Sequence, residues 1–303
     1  MKSLLRIVFV ILLLFSQTLL FAEHDFHVSS SVNWYTGTLE LHISQSTRLI
    51  GQNPASAATT ATRAIHNAMP VFMLNALLEL RVDSHRFVRD IARNDPGILR
   101  KIERLAETAE AKPARISSTL DIVTVPYSLQ LFPGLTELLI RHHHPSPLEQ
   151  FFQWQGIGEF TGLVIYAADP LPVRGESDRG RQTFALLQPS LLLRIFDSNL
   201  TVVVEPNRMN PDRLIHWGGA AYTTSFDETP YIHRIGTNPL RVSAQEIFGI
   251  HYTDLVLNDQ ARNILLYSEQ NRRILQEGRI LIILSDQTIV ETLHDSGQTH
   301  MAR

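Results

Sequence analysis

Four places in the sequence bring together residue types that could do chemistry. His142-His143-His144 offers three imidazoles, and imidazole is a good ligand for a transition ion. Gly156-Ile157-Gly158-Glu159-Phe160-Thr161-Gly162 has the outline of a phosphate-cradling loop. Gly175-Glu176-Ser177-Asp178-Arg179-Gly180 sets a serine between glycines, as a nucleophile elbow does. Asp83, Asp90 and Asp254 are carboxylates that tertiary folding could pair for acid–base work.

Spacing argues against each. Three consecutive histidines cannot easily aim three rings at one ion from a regular element, and no His-x-x-x-His or Glu-x-x-His pair accompanies them, so they read as a solvated linker. The glycine run is one residue too long for a dinucleotide loop, and a strand follows where a helix must present its N–H groups to phosphate. The serine loop has one residue too many for Gly-x-Ser-x-Gly and lies in a polar stretch. The three carboxylates default to capping and surface solvation. The chain has no cysteine, which excludes thiol catalysis, thiolate metal sites and disulfides. Trp34, Trp154 and Trp217 read as core anchors. Basic residues are 24 Arg against three Lys (Lys2, Lys101, Lys112), spread along the chain apart from Arg272-Arg273 and the 174–181 loop. No catalytic, cofactor-binding or metal-binding residue is assigned on this reading, and no cofactor is expected.

The elements that would position any site fall into two blocks. In the first, residues 33–141, Leu39, Leu41 and Ile43 alternate with Glu40, His42 and Ser44, the pattern of a half-buried strand. Asn53-Pro54 supplies a cap and a first-turn proline. Ala57, Ala61, Ala64, Ala68 and Phe72 follow at helical spacing, a stripe that permits close approach to a sheet. Pro70 predicts a break near Met69 and a second helical piece through Leu80, because proline removes a helical donor. Arg81-Val82-Asp83-Ser84 reads as a turn into another short helix. Asn94-Asp95-Pro96 starts a further helix with Ile98, Ile102, Leu105 and Ala109 on its apolar face. Residues 120–125 alternate as a strand, and Leu135, Leu138 and Leu139 mark a short helix.

The linker is placed at 142–150, where prolines flank Ser146. The second block, 151–285, begins with a strand over Phe160–Ala168 buried on both faces at Leu163-Val164-Ile165. A polar surface loop over 169–182 follows, then a hairpin around Asp197-Ser198-Asn199 and strands at Leu240–Ala244 and Asp254–Leu257. Asn258 caps a helix carrying Ala261, Ile264, Leu265, Ile274 and Leu275, and Gly278 sits where a terminating glycine belongs. Arg279–Leu284 closes as a strand, so Asp254–Leu284 reads as a parallel crossover. Residues 286–303 read as a flexible tail. The fold class expected is α+β: two mixed α/β domains, the second ending in that strand–helix–strand crossover.

The chain opens with Lys2 and Arg6, an apolar run Ile7–Phe15, and Ala22 before Glu23-His24-Asp25. These are the parts of a secretory signal peptide, with cleavage after Ala22. The rival is a retained anchor, since Leu4–Ala22 is 19 residues long, but Ser16-Gln17-Thr18 interrupts it. Over 303 residues the formal charge is −3. Loss of residues 1–22 removes two cations and no acid, leaving −3 − 2 = −5. That balance does not suit a nucleic-acid binder, and no second apolar stretch reaches spanning length.

A Trp-bearing strand, Asn33-Trp34-Tyr35-Thr36-Gly37-Thr38-Leu39-Glu40, precedes a helix with Arg63-Ala64 and Asn75-Ala76-Leu77-Leu78, then Arg81-Val82-Asp83-Ser84. This resembles FlgP-like and FlgT-like flagellum-associated proteins of the bacterial envelope. With Thr161-Gly162-Leu163-Val164-Ile165-Tyr166-Ala167, Arg234-Ile235-Gly236 and Asn238-Pro239-Leu240, the order and spacing are most similar to exported proteins of spirochaete type. The resemblance implies a non-enzymatic envelope role, in the periplasm or at the outer membrane, with envelope or flagellar basal-body proteins as partners. Several such relatives are lipoproteins; with no cysteine to acylate, this chain departs from them, and a soluble periplasmic form is expected. The competing expectations are a periplasmic hydrolase whose site assembles from distant residues, and a ligand- or peptidoglycan-binding module.

Overall fold

The structure, a computed structural model, describes residues 26–48, 53–150 and 158–291. The signal-peptide reading of residues 1–22, Trp154, Gly156 and the last twelve residues lie outside them.

The N-terminal half is an antiparallel sheet under a helical layer. Strand β1 (Phe26–Asn33) pairs β2 (Thr38–Ser46), which pairs β5 (Ile122–Gln130); the short β3 (Glu110–Ala111) and β4 (Arg115–Ile116) both pair β5. Alternation decides the register: Leu39, Leu41 and Ile43 of β2, and Val123, Val125, Tyr127 and Leu129 of β5, are all buried on one face. Helix α1 (Pro54–Leu78) lies there, N-capped by Asn53, which accepts from Ala55 N–H at 3.0 Å. Its buried stripe is Ala57, Ala61, Ile65, Met69, Met73 and Leu77, one row of i, i+4 spacing; Ala64, Ala68 and Phe72 sit half-buried on the flank.

The break expected at Met69 does not occur. Helix α1 runs unbroken through Pro70. The missing bond and ring clash cost about 3 kcal/mol. Beyond the proline, Met73 and Leu77 are completely buried, and burying two such side chains contributes roughly 1.5–3 kcal/mol each. Tertiary burial therefore outweighs the local defect. Helices α2 (Val88–Asn94), α3 (Pro96–Glu107) and α4 (Gly134–Leu139) complete the layer.

The second half has two sheets. One is parallel throughout, in the order β11 (Ala221–Thr223), β15 (Ile280–Leu284), β6 (Leu163–Ala167), β12 (Leu240–Ser243). The other is mixed, in the order β10 (Val202–Val204), β9 (Ile195–Phe196), β14 (Asp254–Val256), β13 (Glu246–Phe248), β7 (Leu171–Asp178), β8 (Arg181–Ala185). Strand β15 is buried at every position, as a strand covered on both faces must be. Helices α5 (Pro211–Trp217) and α6 (Ile232–Ile235) intervene between strands.

Several expectations change. Residues 169–182 are not a loop: β7 and β8 form a hairpin, with Ser177 opposite Gln182 and an exposed tip. The capped helix after Asn258 is two, α7 (Asp259–Tyr267) and α8 (Glu269–Gln276), because Ser268 is extended and caps Asn271 N–H at 3.0 Å. The strands at its ends, β14 and β15, belong to different sheets, so the parallel crossover expected there is a link between sheets; the parallel partners of β15 are β6 and β11. Residues 286–291 form helix α9 where a tail is expected, and buried Thr288 donates to Leu187 C=O at 3.3 Å.

The two halves share one hydrophobic core, which runs from Leu39 and Ile65 through Leu191 and Ile247 to Leu265 and Ile282. The proline-rich stretch between them is docked: His142 Nε2 lies 2.9 Å from Met209 C=O, and Ser146 N–H donates to Asn207 C=O at 2.7 Å.

Candidate functional site

The densest polar constellation lies where the halves meet. Between α1 and α2 the chain makes a tight turn at Asp83–Arg86, closed by Val82 N–H to Arg86 C=O at 2.9 Å and by the Arg81–Phe87 bridge. Asp83 builds it: its Oδ1 accepts from His85 N–H (2.9 Å) and Arg86 N–H (3.0 Å), and its Oδ2 takes both Nε (2.9 Å) and Nη2 (2.5 Å) of Arg86. Burial works to raise the Asp83 carboxyl, but these hydrogen bonds and the Arg86 charge bring it below the ordinary range.

The turn pushes Ser84 into the second half. Its carbonyl accepts from His251 N–H at 3.1 Å, while Leu191 and Leu192 donate to Arg81 and Val82 C=O at 3.0 and 2.8 Å. Strands β9 and β14 run parallel here, which brings Arg194 and Asp254 side by side. Ser84 Oγ donates to Asp254 Oδ2 at 2.7 Å and lies 2.7 Å from His85 Nδ1. Arg194 Nη2 donates to Asp254 Oδ2 at 2.6 Å, contacts Ser84 Oγ, and lies 3.0 Å from His85 Nδ1. Ser84 and Asp254 are completely buried. Burial pushes the Asp254 carboxyl up, and the Ser84 hydrogen bond and Arg194 pull against it. Gly249, at φ +89°, makes the fit possible: a Cβ there would lie 2.4 Å from Ser84 Cβ.

Serine, histidine and aspartate are therefore in contact, but not in the order nucleophilic catalysis needs. In a triad the imidazole stands between hydroxyl and carboxylate and takes the hydroxyl proton. Here the Ser84 proton goes directly to Asp254, and Arg194 donates to the same oxygen, which lowers its electron density. No substrate carbonyl can approach a hydroxyl with zero exposure, closed over by Gly249. The arrangement acts as a polar lock between the two halves.

A buried cation braces the second half from within. Arg234 is almost fully enclosed, and its guanidinium donates to Gly278 C=O (2.8 Å), Trp217 C=O (2.8 Å) and Gly218 C=O (3.0 Å), tying the end of α5 to the turn before β15. Burial lowers its pKa to about 10, so it stays charged at neutral pH. Aromatic pairs continue the seam: Trp34 on Tyr222 (5.4 Å) and Tyr35 on Tyr231 (5.2 Å).

Of the candidate groups read from the sequence, Asp83 and Asp254 come together in the lock, whereas Asp90 caps α2 by accepting from Phe87 N–H at 2.8 Å. His142 is docked on Met209 while His143 and His144 are exposed. Gly158 C=O accepts from Asn271 Nδ2 at 3.2 Å, and Gly162 is small because a Cβ would lie 2.3 Å from Ile235 C=O. Gly175–Gly180 forms the β7–β8 tip. Arg272 caps the end of α7 through Leu266 C=O at 2.9 Å, and Arg174 pairs with Glu246 at 2.7 Å. Sequence reading missed Ser84, His85, Arg194, Gly249 and Arg234 as a functional set. The stretch 81–84 shows in the sequence as a turn, but nothing local marks its partners 110 and 170 residues away.

Concavities also lie elsewhere among the described residues. One, of about 180 Å³, is lined by Thr161, Arg273, Glu277 and Arg279, with Glu277 held by Arg279 at 2.6 Å. Another, about 450 Å³ and wide open, runs between Phe26 and the Ala64–Ala68 flank of α1.

Residues 25–138 match a family model described as the N-terminal domain of Treponema pallidum Tp0624, and residues 162–286 match one described as the second domain of the same protein. The two halves are thus similar, in order, to two domains of Tp0624. A search of curated proteins finds no match. The spirochaete side of the resemblance read from the sequence is supported by these matches. In Tp0624-like terms, Ser84 and its turn come from the N-terminal domain, and Arg194, Gly249 and Asp254 from the second. The α+β class with two domains holds. No helix among the described residues is long and apolar enough to cross a membrane.

Proposed function

We propose that this chain is an exported, non-enzymatic protein of the cell envelope with a structural or assembly role, exercised through protein–protein contacts. The observation that carries the reading is the polar lock. The one place where serine, histidine and aspartate meet among the described residues holds two domains together, with its hydroxyl enclosed. Two domains that share a hydrophobic core and are hydrogen-bonded across their seam suit a scaffold. Export rests on the basic, apolar and small-residue order of residues 1–22. The flagellar basal region is the envelope setting named by the resemblance of the N-terminal half.

Two measurements test this. Fusion of alkaline phosphatase to the C-terminus should give active phosphatase, which forms only after export; an inactive, cytoplasmic fusion overturns the localisation. Tagged chain recovered from envelope fractions should bring down a stoichiometric envelope partner. A protein that elutes free and monomeric from every fraction overturns the assembly role. A hydrolytic activity of the purified chain that is lost in Ser84→Ala while circular dichroism shows the fold retained overturns the non-enzymatic reading.

A further inference from the structure

Strand β1 is the outermost strand of its sheet, and among the described residues no strand pairs its outer edge. At eight residues it is also the longest edge strand among them. The far side of the same sheet ends in β3 and β4, two residues each. The other sheets end in β10 (three residues), β11 (three), β12 (four) and β8 (five), and the last two carry Arg241 and Arg181. Short length and charge are the usual guards against strand addition. Phe26–Asn33 has neither, and it contains no proline or glycine.

The ladder fixes which backbone groups face outward. Thr47 N–H donates to Asp121 C=O and Leu131 N–H to Gly37 C=O, both at 2.8 Å, so the odd-numbered residues of β2 turn their backbone to β5. The even-numbered ones turn theirs to β1, where their partners are His27, Ser29, Ser31 and Asn33. Val28, Ser30 and Val32 therefore point N–H and C=O away from the sheet, spaced for one further strand. Their side chains lie on the helix face, opposite Ile43, Leu41 and Leu39.

A groove opens on that face beside the edge. Helix α1 lays its His66 flank over β5, where His66 Nδ1 is 2.7 Å from Tyr127 Oη, and its Thr60–Ala64–Ala68 flank on the β1 side. The space of about 450 Å³ between that flank and Phe26 has small walls, Ala64 and Ala68, and a polar rim, Arg63 and Asn67. Arg63 is exposed, and among the described residues no carboxylate pairs with it. Edge and groove together have the form of a site for strand addition, in which main-chain bonds supply affinity and a pocket for alternate side chains supplies selectivity. We infer that β1 accepts an extended segment of an envelope partner as an added strand, with an apolar side chain beside Phe26 and a carboxylate at Arg63. A second copy of β1 fits less well, since Phe26–Asn33 contains no acid to meet Arg63. The inference rests on the assembly role proposed above and names the surface and the chemistry of the contact.

Fluorescein-labelled peptides that alternate threonine with valine, with glutamate at each valine position in turn, are titrated onto the purified chain. One of the set should bind saturably and shift the amide resonances of Val28, Ser30 and Val32 more than those of Ser29 and Ser31. Replacing its glutamate by glutamine should weaken binding about three- to fivefold, and Arg63→Gln should cancel that difference. Ser30→Pro removes an outward N–H and leaves the β1–β2 ladder intact, so it should weaken binding at least about tenfold with the circular dichroism unchanged. Ala64→Leu fills the groove from the α1 side and should weaken binding independently of the edge. No saturable binding by any peptide, unchanged binding in either folded variant, or a glutamate effect that persists in Arg63→Gln overturns the inference. So does dimerisation of the peptide-free chain that Ser30→Pro abolishes, which assigns the edge to a second copy. If an envelope partner still co-purifies with Ser30→Pro, the assembly role stands and this contact surface falls.

Discussion

Replacing Arg194 by methionine removes the guanidinium from Asp254 and leaves the carboxylate buried. The pair is 2.6 Å apart, with Asp254 enclosed and Arg194 27% exposed. At an effective dielectric of 20, opposite charges about 4 Å apart attract by about 4 kcal/mol. Removing one partner of a buried pair costs about 3–5 kcal/mol, since the remaining charge is desolvated without compensation. The partial exposure of Arg194 places the expected loss near the lower end, about 3 kcal/mol at pH 7. The pH dependence has a definite sign. Asp254 already has a folded pKa raised by burial, and without Arg194 it rises further. A carboxyl with a raised folded pKa adds stability below its unfolded value, and that contribution disappears as pH rises through the folded value. The Arg194→Met deficit should therefore be greatest at pH 7 and shrink toward pH 4. Asp83 and Asp121 do not mask this: both are depressed, Asp121 to about 2, so their contributions are full above the unfolded value near 3.8. Urea unfolding followed by tryptophan fluorescence at pH 7 and pH 5 measures it, since Trp34 packs on Tyr222 across the seam. Adding Asp254→Asn to Arg194→Met should recover part of the loss. A deficit under about 1 kcal/mol at pH 7, one that grows on acidification, or strict additivity of the two substitutions would refute the lock.

Because one core spans both halves, denaturant should unfold the chain in a single transition with coincident fluorescence and circular dichroism; two separated transitions would contradict a shared core. Pro70→Ala restores a helical donor where α1 is already continuous and should raise stability by about 1–2 kcal/mol, the helix gain of up to about 3 less the entropy the unfolded chain regains. Gly162→Ala forces a Cβ to within 2.3 Å of Ile235 C=O, where the neighbour is backbone, and should cost about 1–3 kcal/mol, read as a lower Tm. Arg234→Met strands the carbonyls of Trp217, Gly218 and Gly278 and should cost several times about 1 kcal/mol, with Arg234→Lys recovering only part, because an ammonium cannot span three acceptors as a planar fork does.

What the sequence alone determined about this protein is what depends on neighbours a few residues apart. Alternation at 39–43 gives β2, the Asn53, Asp95 and Asn258 caps begin their helices, and Gly278 at φ +63° closes α8. Leu163-Val164-Ile165, apolar on both parities, marks a strand covered on two faces. Long-range burial decided most of the rest. It carried α1 through Pro70 and sent β14 and β15 to different sheets, because each depends on surfaces supplied from far along the chain, whereas the β7–β8 hairpin is a local pairing that closes at Arg179-Gly180 and whose polar strands hid it in the sequence. The candidate site belongs wholly to this second kind. Asp83 marks its own turn, since its partners are two and three residues away. Ser84 acquires its meaning from Arg194 and Asp254, which the packing of two domains, and no local pattern, sets against it.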